Sequence, residues 1–413
     1  MRVATALNKI LSIPGAWVSG IAFTPAGVVV SLRRRRKLLR CPCGRSTRAA
    51  YDRAVRRWRH LDLAACRLYL EAEIRRVDCR GCGRVRTEEV PWARPGARHT
   101  RDLDDLIAYM ARSMDKTTVT RLLRVSWEAV ANSVGRVVAD GIDDARLNDL
   151  YRIGVDEVSY RKGHRYLTVV ADHDRDGAVV WAGEGRDSDT LKRFFVLLGE
   201  ERLGQLEAIS ADMGAGYAKA IEEARAEGLL TAEVCLDPFH IIKLANEAID
   251  KTRRWAWNLA RTAGEEGAAW VKGTRWALVK DPGELTASQR LILRELRSSR
   301  SVLYRAWEMK ETLRDVYRLR EFGAAHQFLD RWLARACRSR IPAFLKLSRT
   351  LRKHRNNILN AVELGLSNSK LEGLNSKIRL INHRGYGHHS AAALIAMIYL
   401  CCGGITVRLP TER

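Results

Sequence analysis

From Tyr151 onward the apolar periodicity of this 413-residue chain changes from helical to strand-like, and that change limits the folds open to it. Short runs at 153–158, 166–171 and 178–181 read as three strands. The turn between the second and third is Asp172-His-Asp-Arg-Asp-Gly177. It imitates the start of a calcium loop, but its twelfth position is Gly183 where a bidentate Glu belongs, so it reads as a hairpin turn. A helix (189–200), a strand (206–211), a helix (217–227) and a strand (232–236) follow. Three hairpin strands and then alternating units imply an α/β layer, with helices packed on a mixed sheet.

Two of these apolar runs carry an aspartate at the end. Asp156 lies in Ile-Gly-Val-Asp-Glu (153–157) and Asp212 in Ile-Ser-Ala-Asp-Met (209–213). Glu372 lies in Ser-Asn-Ser-Lys-Leu-Glu-Gly-Leu-Asn (367–375), where Asn368 suits a cap and Glu372, Asn375 and Arg379 recur at helical spacing. The strand order expected is that of a ribonuclease-H-like core, in which the ends of strands one and four are neighbours. Asp156 and Asp212 would then meet although 56 residues separate them. Two strand-end aspartates and a helix-borne glutamate suit a pair of divalent cations about 3.5–4 Å apart, the arrangement for in-line phosphoryl chemistry. Alternatives stay open at each position. Asp156 also suits a turn, Glu157 replaces it if the register slips by one, and Asp212 also suits a helix cap.

Charge narrows the partners. Lys and Arg number 72 against 48 Asp and Glu, a net charge of +24 and a pI near 10.1. Such an excess favours a polyanion through phosphate neutralisation and counterion release. No apolar stretch approaches the roughly 18–20 residues of a spanning helix, and residues 1–14 are broken by Asn8 and Lys9, unlike a secretory signal. A cytoplasmic location is expected, with the nine cysteines reduced.

The basic residues are concentrated early. A β-hairpin is expected over 16–32, and residues 33–59 hold 12 basic residues against one acid, Asp52, with Tyr51 and Trp58 interleaved. Arg33, Arg34, Arg35, Arg36 and Lys37 open this run and are candidate phosphate contacts. Within and beyond it stand Cys41-Pro-Cys43-Gly and Cys79-Arg-Gly-Cys82-Gly, two knuckles that read as a zinc ribbon holding one structural Zn²⁺ on four thiolates. Cys66, Cys235, Cys337, Cys401 and Cys402 have no ligand-like spacing and read as buried thiols. After a linker at 91–96, an amphipathic helix (102–114), a short helix from Thr117, a turn at Arg124-Val-Ser and a helix over 127–138 read as a helix-turn-helix. Arg124, Ser126, Trp127, Glu128, Asn132, Ser133 and Arg136 fall on or near its outward side as candidate DNA contacts. A helical region rich in Trp and Arg separates Asp237-Pro-Phe-His240 from the final segment, and its tryptophans are expected mostly in the core.

The domain boundaries expected are a hairpin and zinc-ribbon-like domain (1–95), a helix-turn-helix (96–146), a first part of the catalytic core (147–243), a helical insertion (244–360) and a closing part of the core carrying Glu372 (361–413). Gly-Val-Asp156-Glu, Ala-Asp212-Met, Asp-Pro-Phe-His240 and Ser-Asn-Ser-Lys-Leu-Glu372-Gly-Leu-Asn-Ser-Lys resemble the ISL3 family of bacterial insertion-sequence transposases over nearly the whole chain. The resemblance implies a DDE transposase that acts on double-stranded DNA at terminal inverted repeats and target sites, with Mg²⁺ or Mn²⁺, as a homo-oligomer. Asp156, Asp212 and Glu372 stand at the matching positions and would hold the catalytic metals. His240 is a candidate to orient nucleophile or phosphate, or a buried structural group, and Lys377 and Arg379 are candidate phosphate contacts. The chain departs from the family pattern at Cys41-Pro-Cys43, which is one residue shorter. A ribonuclease-H-like nuclease or resolvase without strand transfer, and a non-catalytic DNA-binding regulator, are the other readings.

Overall fold

The computed structural model describes residues 3–412 except 36, 37, 213, 320 and 386, and omits the side chains of 215, 263, 322 and 369. The expected phosphate contacts Arg36 and Lys37 therefore lie outside the described residues. The chain divides into two compact units: Met1–Arg146 with Leu380–Arg413, and Leu147–Arg379. The expected closing part, 361–413, is thus not one piece, because the division falls at Arg379/Leu380.

In the first unit, α1 (Val3–Leu11) precedes the hairpin of β1 (Ala16–Thr24) and β2 (Gly27–Arg34), turned by Pro25 and Ala26. The tiny pair β3 (Leu39–Arg40) and β4 (Ser46–Thr47) flanks the first cysteine knuckle. β5 (Asp52–Arg59), β6 (Leu68–Cys79) and β7 (Arg84–Thr87) complete the main sheet, ordered β1-β2-β6-β5 with β7 also on β6. β6 alternates buried and partly exposed positions from Leu68 to Ile74, as a strand with one solvated face should, and after Arg75 and Arg76 the buried set shifts by one to Val77 and Cys79. Leu68, Leu70, Ala72 and Ile74 join Val18, Val30, Trp58 and Trp92 in one core, while Val77 and Cys79 pack with Leu39 and Cys41. Residues 91–96 are no loose linker: Trp92 meets Trp58 edge-on with centroids 5.7 Å apart, and Arg94 bonds Asp105 at 2.6 Å. Then come α2 (Arg101–Ala111), capped by Thr100, α3 (Lys116–Leu123), capped by Asp115, and α4 (Trp127–Gly141), capped by Ser126. Arg124, between α3 and α4, takes the left-handed conformation with φ of 53°, which makes the tight turn.

The second unit is built on β8 (Arg152–Arg161), β9 (Arg165–Asp172), β10 (Ala178–Glu184), β11 (Ala208–Ala211) and β12 (Glu233–Leu236), ordered β10-β9-β8-β11-β12. β10, β9 and β8 are antiparallel, whereas β8, β11 and β12 run parallel. The Asp172–Gly177 segment is the expected hairpin turn, with Asp172 accepting from the amide of Asp174. α5 (Ser188–Leu198), α6 (Glu200–Gly204) and α7 (Ala215–Ala226) pack on the sheet through Phe194, Leu203 and Ile221 against Val155 and Val170. This is a mixed α/β fold.

Directly after β12, α8 (Pro238–Ala263) leads into α9 (Glu265–Gly273), α10 (Arg275–Val279), α11 (Ala287–Ser298), α12 (Val302–Asp315), α13 (Phe322–Arg338), α14 (Pro342–Lys353) and α15 (Arg355–Glu363). These helices share a core that includes Leu296, Leu313, Trp332 and Phe344. Lys310, fully buried, donates to the carbonyls of Leu278, Val279 and Lys280 and so satisfies the end of α10. The expectation that the tryptophans are mostly core holds for Trp332 but not for Trp255, Trp270 and Trp276, which are exposed. Arg275 lies over the Trp276 ring, so there a cation, in place of apolar neighbours, covers the indole. The chain closes with α16 (Ser369–Arg384) and α17 (Ala391–Cys402), and α17 packs on α4. The nearly all-apolar sequence of α17 has to be covered, which explains why the chain end returns to the first unit. Among the described residues no helix is long and apolar enough to cross a membrane.

Candidate catalytic site and nucleic-acid interface

Three aspartates stand level where the parallel pairing of β8, β11 and β12 ends: Asp212 and Asp237 directly follow β11 and β12, while Asp156 lies within β8, which runs on against β9. Val155 on β8 pairs with Ala211 on β11, which pairs with Leu236 on β12. The next residues are Asp156, Asp212 and Asp237, so parallel register sets them level. This edge of an open sheet is where ligands of α/β folds bind. Alternation along β8 sends Ile153 and Val155 into the core beneath α5 and α7, and Gly154 and Asp156 to the opposite face. A Cβ on Gly154 would lie 2.6 Å from both Leu371 methyls, so any side chain there would force the buried Leu371 of α16 to shift. One turn further, Asn375 donates to Asp156 Oδ2 at 2.6 Å, while the Glu157 amide donates to Oδ1 at 2.7 Å. Glu157 itself pairs with Arg186 at 3.6 Å.

His240, in the first turn of α8, places Nδ1 3.1 Å from Asp212 Oδ1 and Nε2 3.8 Å from Asp237 Oδ2. Asp237 is nearly buried and accepts from the Asn368 amide at 3.1 Å. The Asn368 side chain in turn accepts from Ser210, whose hydroxyl also meets His173 at 2.6 Å. Asn368, whose backbone carbonyl accepts from the Glu372 amide at 2.8 Å, therefore also ties the start of α16 to β11 and β12. The sequence alone assigns no site role to Asp237, Ser210 or His173. The signal for Asp237 was its place directly after a short apolar run, the same as that of Asp156 and Asp212.

Burial pushes the Asp156 carboxyl above the usual carboxylate range, and the negative charge of Asp212 adds to this against Asn375, His240 and the Glu157 amide. Burial likewise raises Asp237, which also feels Glu372. Glu372 is exposed in the first turn of α16. Lys377 and Arg379 are exposed farther along it, whereas Asn375 is buried. The carboxylates are not gathered as closely as thiolates elsewhere: among the described residues, the one group of three or more possible ligands within 4.8 Å is Cys41, Cys43, Cys79 and Cys82. Still, the oxygen donors suit a hard divalent cation, and Asn375 Oδ1 is buried there without a hydrogen-bond partner.

The four sulfurs pair at 3.9 Å (Cys41–Cys82) and 3.4 Å (Cys43–Cys79). Tetrahedral zinc with bonds near 2.3 Å needs sulfur–sulfur edges of about 3.8 Å, so the set fits zinc despite the shortened knuckle. Gly44 and Gly83 follow the knuckles with φ of 90° and 63°, values that a side chain would strain. Amides of Cys82 and Gly81 lower the Cys79 thiol to about 6. The Cys43 amide favours the Cys41 thiolate, but burial and the neighbouring sulfurs prevail and push it up to about 12. Cys66 is exposed, not a core thiol, because it sits in the 60–67 loop outside the sheet; Cys337, Cys401 and Cys402 are half-buried.

Several expected DNA contacts are held within the protein. Arg34 pairs with buried Glu88. Arg35 lies 3.9 Å over the Trp17 ring, while Arg33 is exposed. Arg136 makes two bonds to Asp104, at 2.8 and 2.9 Å, and Ser133 is fully buried against the same carboxylate instead of facing outward. The cause is tertiary: Asp104 of α2 needs partners for a buried charge. Arg124 bonds Asp62, Ser126 caps α4, and Trp127 packs under Lys116. Asn132 stays exposed on α4.

Similarity to known proteins agrees with this arrangement. Residues 153–398 match the transposase model of the DDE type in the ISL3 group, 88–134 the helix-turn-helix domain of transposase family ISL3, and 37–82 the zinc-finger of transposase IS204/IS1001/IS1096/IS1165. The transposase for insertion sequence element IS1557 of Mycobacterium tuberculosis is 41% identical over 413 residues, covering 93% of this chain and 90% of that one. The transposase for insertion sequence element IS1001 of Bordetella parapertussis is 27% identical, covering 87% of each. The Drosophila P element transposase strand transfer complex aligns over 73% of this chain and 92% of its own at 13% identity and a TM-score of 0.38, too distant to add to the assignment. With a level set of aspartates, a four-cysteine cluster and a helix-turn-helix on one chain, and a family model spanning most of it, this protein belongs to the ISL3 family of DDE transposases.

Proposed function

We infer that this DNA transposase cleaves the ends of its own insertion sequence and joins them to target DNA, using a ribonuclease-H-like core. The observation that carries the reading is the level register of Asp156, Asp212 and Asp237, each one residue beyond the aligned Val155, Ala211 and Leu236 of β8, β11 and β12. The strand order supports it, with three antiparallel strands followed by two parallel ones. Asp156, Asp212 and Glu372 would hold two Mg²⁺ or Mn²⁺ ions, which when bound supply a nucleophile at neutral pH and stabilise a leaving oxygen. The residues of the chain do the positioning. Asn375 holds the Asp156 carboxylate from α16, and His240 holds that of Asp212 from α8. Lys377 and Arg379, exposed on α16, suit the phosphates flanking the scissile bond. Hydrolysis at the element end frees a 3′-hydroxyl, and that hydroxyl then attacks a target phosphodiester in line.

End recognition falls to the first unit, where Asn132 on α4 is free to meet base edges and the cysteine cluster stabilises the ribbon with Zn²⁺. Terminal inverted repeats are the expected binding sites, and two copies of the chain are expected on DNA because an element has two ends. The test uses labelled end duplexes and a target plasmid with Mg²⁺. Wild-type protein should nick the end and join it to the target, while Asp156→Ala, Asp212→Ala and Glu372→Ala should bind the end but leave it uncut. Nicking without joining would point to a nuclease, and binding with no metal-dependent product would point to a regulator.

A further inference from the structure

Within the first unit a cleft of about 600 Å³ opens between the sheet and the start of α4. Arg59, Arg67, Arg98, Arg124 and Arg136 line it together with Asn132. Three of these arginines have acidic partners, although two of them share a single carboxylate. Arg59 and Arg124 both pair with Asp62, and Arg136 pairs with Asp104. Arg67 and Arg98 are exposed and have no acidic partner among the described residues. Glu128 is the one carboxylate on the wall. The charges are close together: burial is the main cause that depresses the Arg59 guanidinium, Asp62 and Tyr69 oppose it, and Arg67 and Arg124 depress it further.

The walls are fixed to one another. The Arg124 side chain bonds Asp62 at 3.0 Å and the Ala65 carbonyl at 3.0 Å, which staples the turn of the helix-turn-helix to the 60–67 loop. The Arg59 amide donates to the Arg98 carbonyl, and the Thr100 amide donates to the Arg59 carbonyl, each at 2.9 Å. Residues 98–100 therefore continue the sheet before α2 begins. His99 meets Ser133 of α4 at 3.2 Å. Arg67 from the sheet, Arg98 from this connection and the first turn of α4 are thus held around one opening, and the amide groups of that turn add a partial positive charge.

We propose that this cleft seats backbone phosphates of duplex DNA on Arg67 and Arg98 while Asn132 meets the base edges, so that the sheet and the helix-turn-helix grip one stretch of DNA as a single reader. The proposal rests on reading the chain as a DNA transposase. It moves the phosphate contacts away from the 33–59 run, in which Arg34, Arg53 and Arg57 pair with Glu88, Glu73 and Glu71. A phosphate has no such competitor at Arg67 and Arg98.

The experiment measures binding of full-length protein to an end duplex and a scrambled duplex across a salt series, with phosphate-ethylation interference on the end duplex. Arg67→Ala/Arg98→Ala should weaken both complexes tens of fold at about 0.1 M salt, and should reduce the log–log salt slope by about 1.8, or 0.9 for each lost contact. Its interference pattern should lose a group of neighbouring phosphates. Arg67→Lys/Arg98→Lys should keep most of the slope. Arg290→Ala/Arg294→Ala, which removes equal charge from exposed α11 positions, should keep all of it. A wild-type slope and pattern in the double alanine variant would overturn the proposal, as would an equal fall in the α11 variant. If wild-type protein does not prefer the end duplex but Arg67→Ala/Arg98→Ala still flattens the slope, end recognition fails and the cleft stands.

Discussion

Asp156 and Asp212 lie level on adjacent parallel strands, each one residue beyond the Val155–Ala211 pair. Parallel pairing brings together positions that no local rule connects, and it does so through backbone bonds that do not depend on the acids themselves. The aspartates are therefore held by the sheet, while Glu372 depends on how α16 is seated. That seating is set at Gly154, under Leu371, and at Asn375, on Asp156.

Gly154→Ala should test the seating. The added methyl would meet Leu371 at 2.6 Å, and overpacking of this kind costs about 1–3 kcal/mol. Cleavage of an end duplex should fall steeply while binding to the same duplex is retained, because the DNA-binding modules are untouched. Gly154→Ala/Leu371→Ala makes room for the methyl and should recover part of the activity. Equal cleavage by wild type and Gly154→Ala would show that α16 does not need this close approach.

His240→Ala should raise the Mg²⁺ concentration needed for cleavage and lower the rate by about 10–100-fold, the usual cost of removing a group that orients a metal-binding side chain. The imidazole is 3.1 Å from Asp212, so its loss removes one contact that orients that carboxylate. Full-length protein titrated with Mg²⁺ on a labelled end provides the measurement. An unchanged metal dependence would leave His240 as packing at the start of α8.

The strands around the site were legible because β11, the first half of β8 and the end of β12 are buried on both faces and their residues form short apolar runs. Asp212 stood out for the same reason. Asp237 did not, because Pro238 follows it and draws attention to the helix it starts. Arg136 and Ser133 fall on the outward side in a reading that knows only α4, yet both turn to Asp104, a partner 32 and 29 residues away in another helix. Arg34 reads as a phosphate contact in the basic run because Glu88, 54 residues on, carries no local sign that it will be buried beside it. Charge runs disclose how much charge a surface holds, but the pairing of each charge is decided by tertiary contacts.

Purified protein should hold about one zinc per chain, because four thiolates fill a closed site. Cys43→Ser should lower the zinc content and the binding to end DNA together, since metal binding and folding of so small a unit are coupled. Zinc is measured by elemental analysis and binding by anisotropy on the same preparations. Wild-type protein that binds end DNA without zinc would make the cluster of Cys41, Cys43, Cys79 and Cys82 a packed apolar ribbon.

Asp104 should make the first unit acid-sensitive. Burial disfavours its charged form, but bonds from His99, Arg136 and Ser133 outweigh this and hold the carboxyl below its ordinary value. A group whose folded pKa is depressed adds stability above its unfolded value, near 3.9, and loses it as pH falls through the folded value. Hydrogen exchange of α2 and α4 amides should therefore speed up as pH falls below about 4, beyond the intrinsic pH dependence of exchange. Asp104→Asn should flatten that response, and Asp104→Ala should cost about 3 kcal/mol at neutral pH by leaving Arg136 without its partner. The same pairing separates the two polar residues of α4. Arg136→Ala should destabilise the unit without altering the choice between end and random DNA, whereas Asn132→Ala should reduce that choice by about 1–3 kcal/mol if it makes a bidentate base contact. Loss of preference in Arg136→Ala with unchanged exchange would return Arg136 to the DNA-reading face.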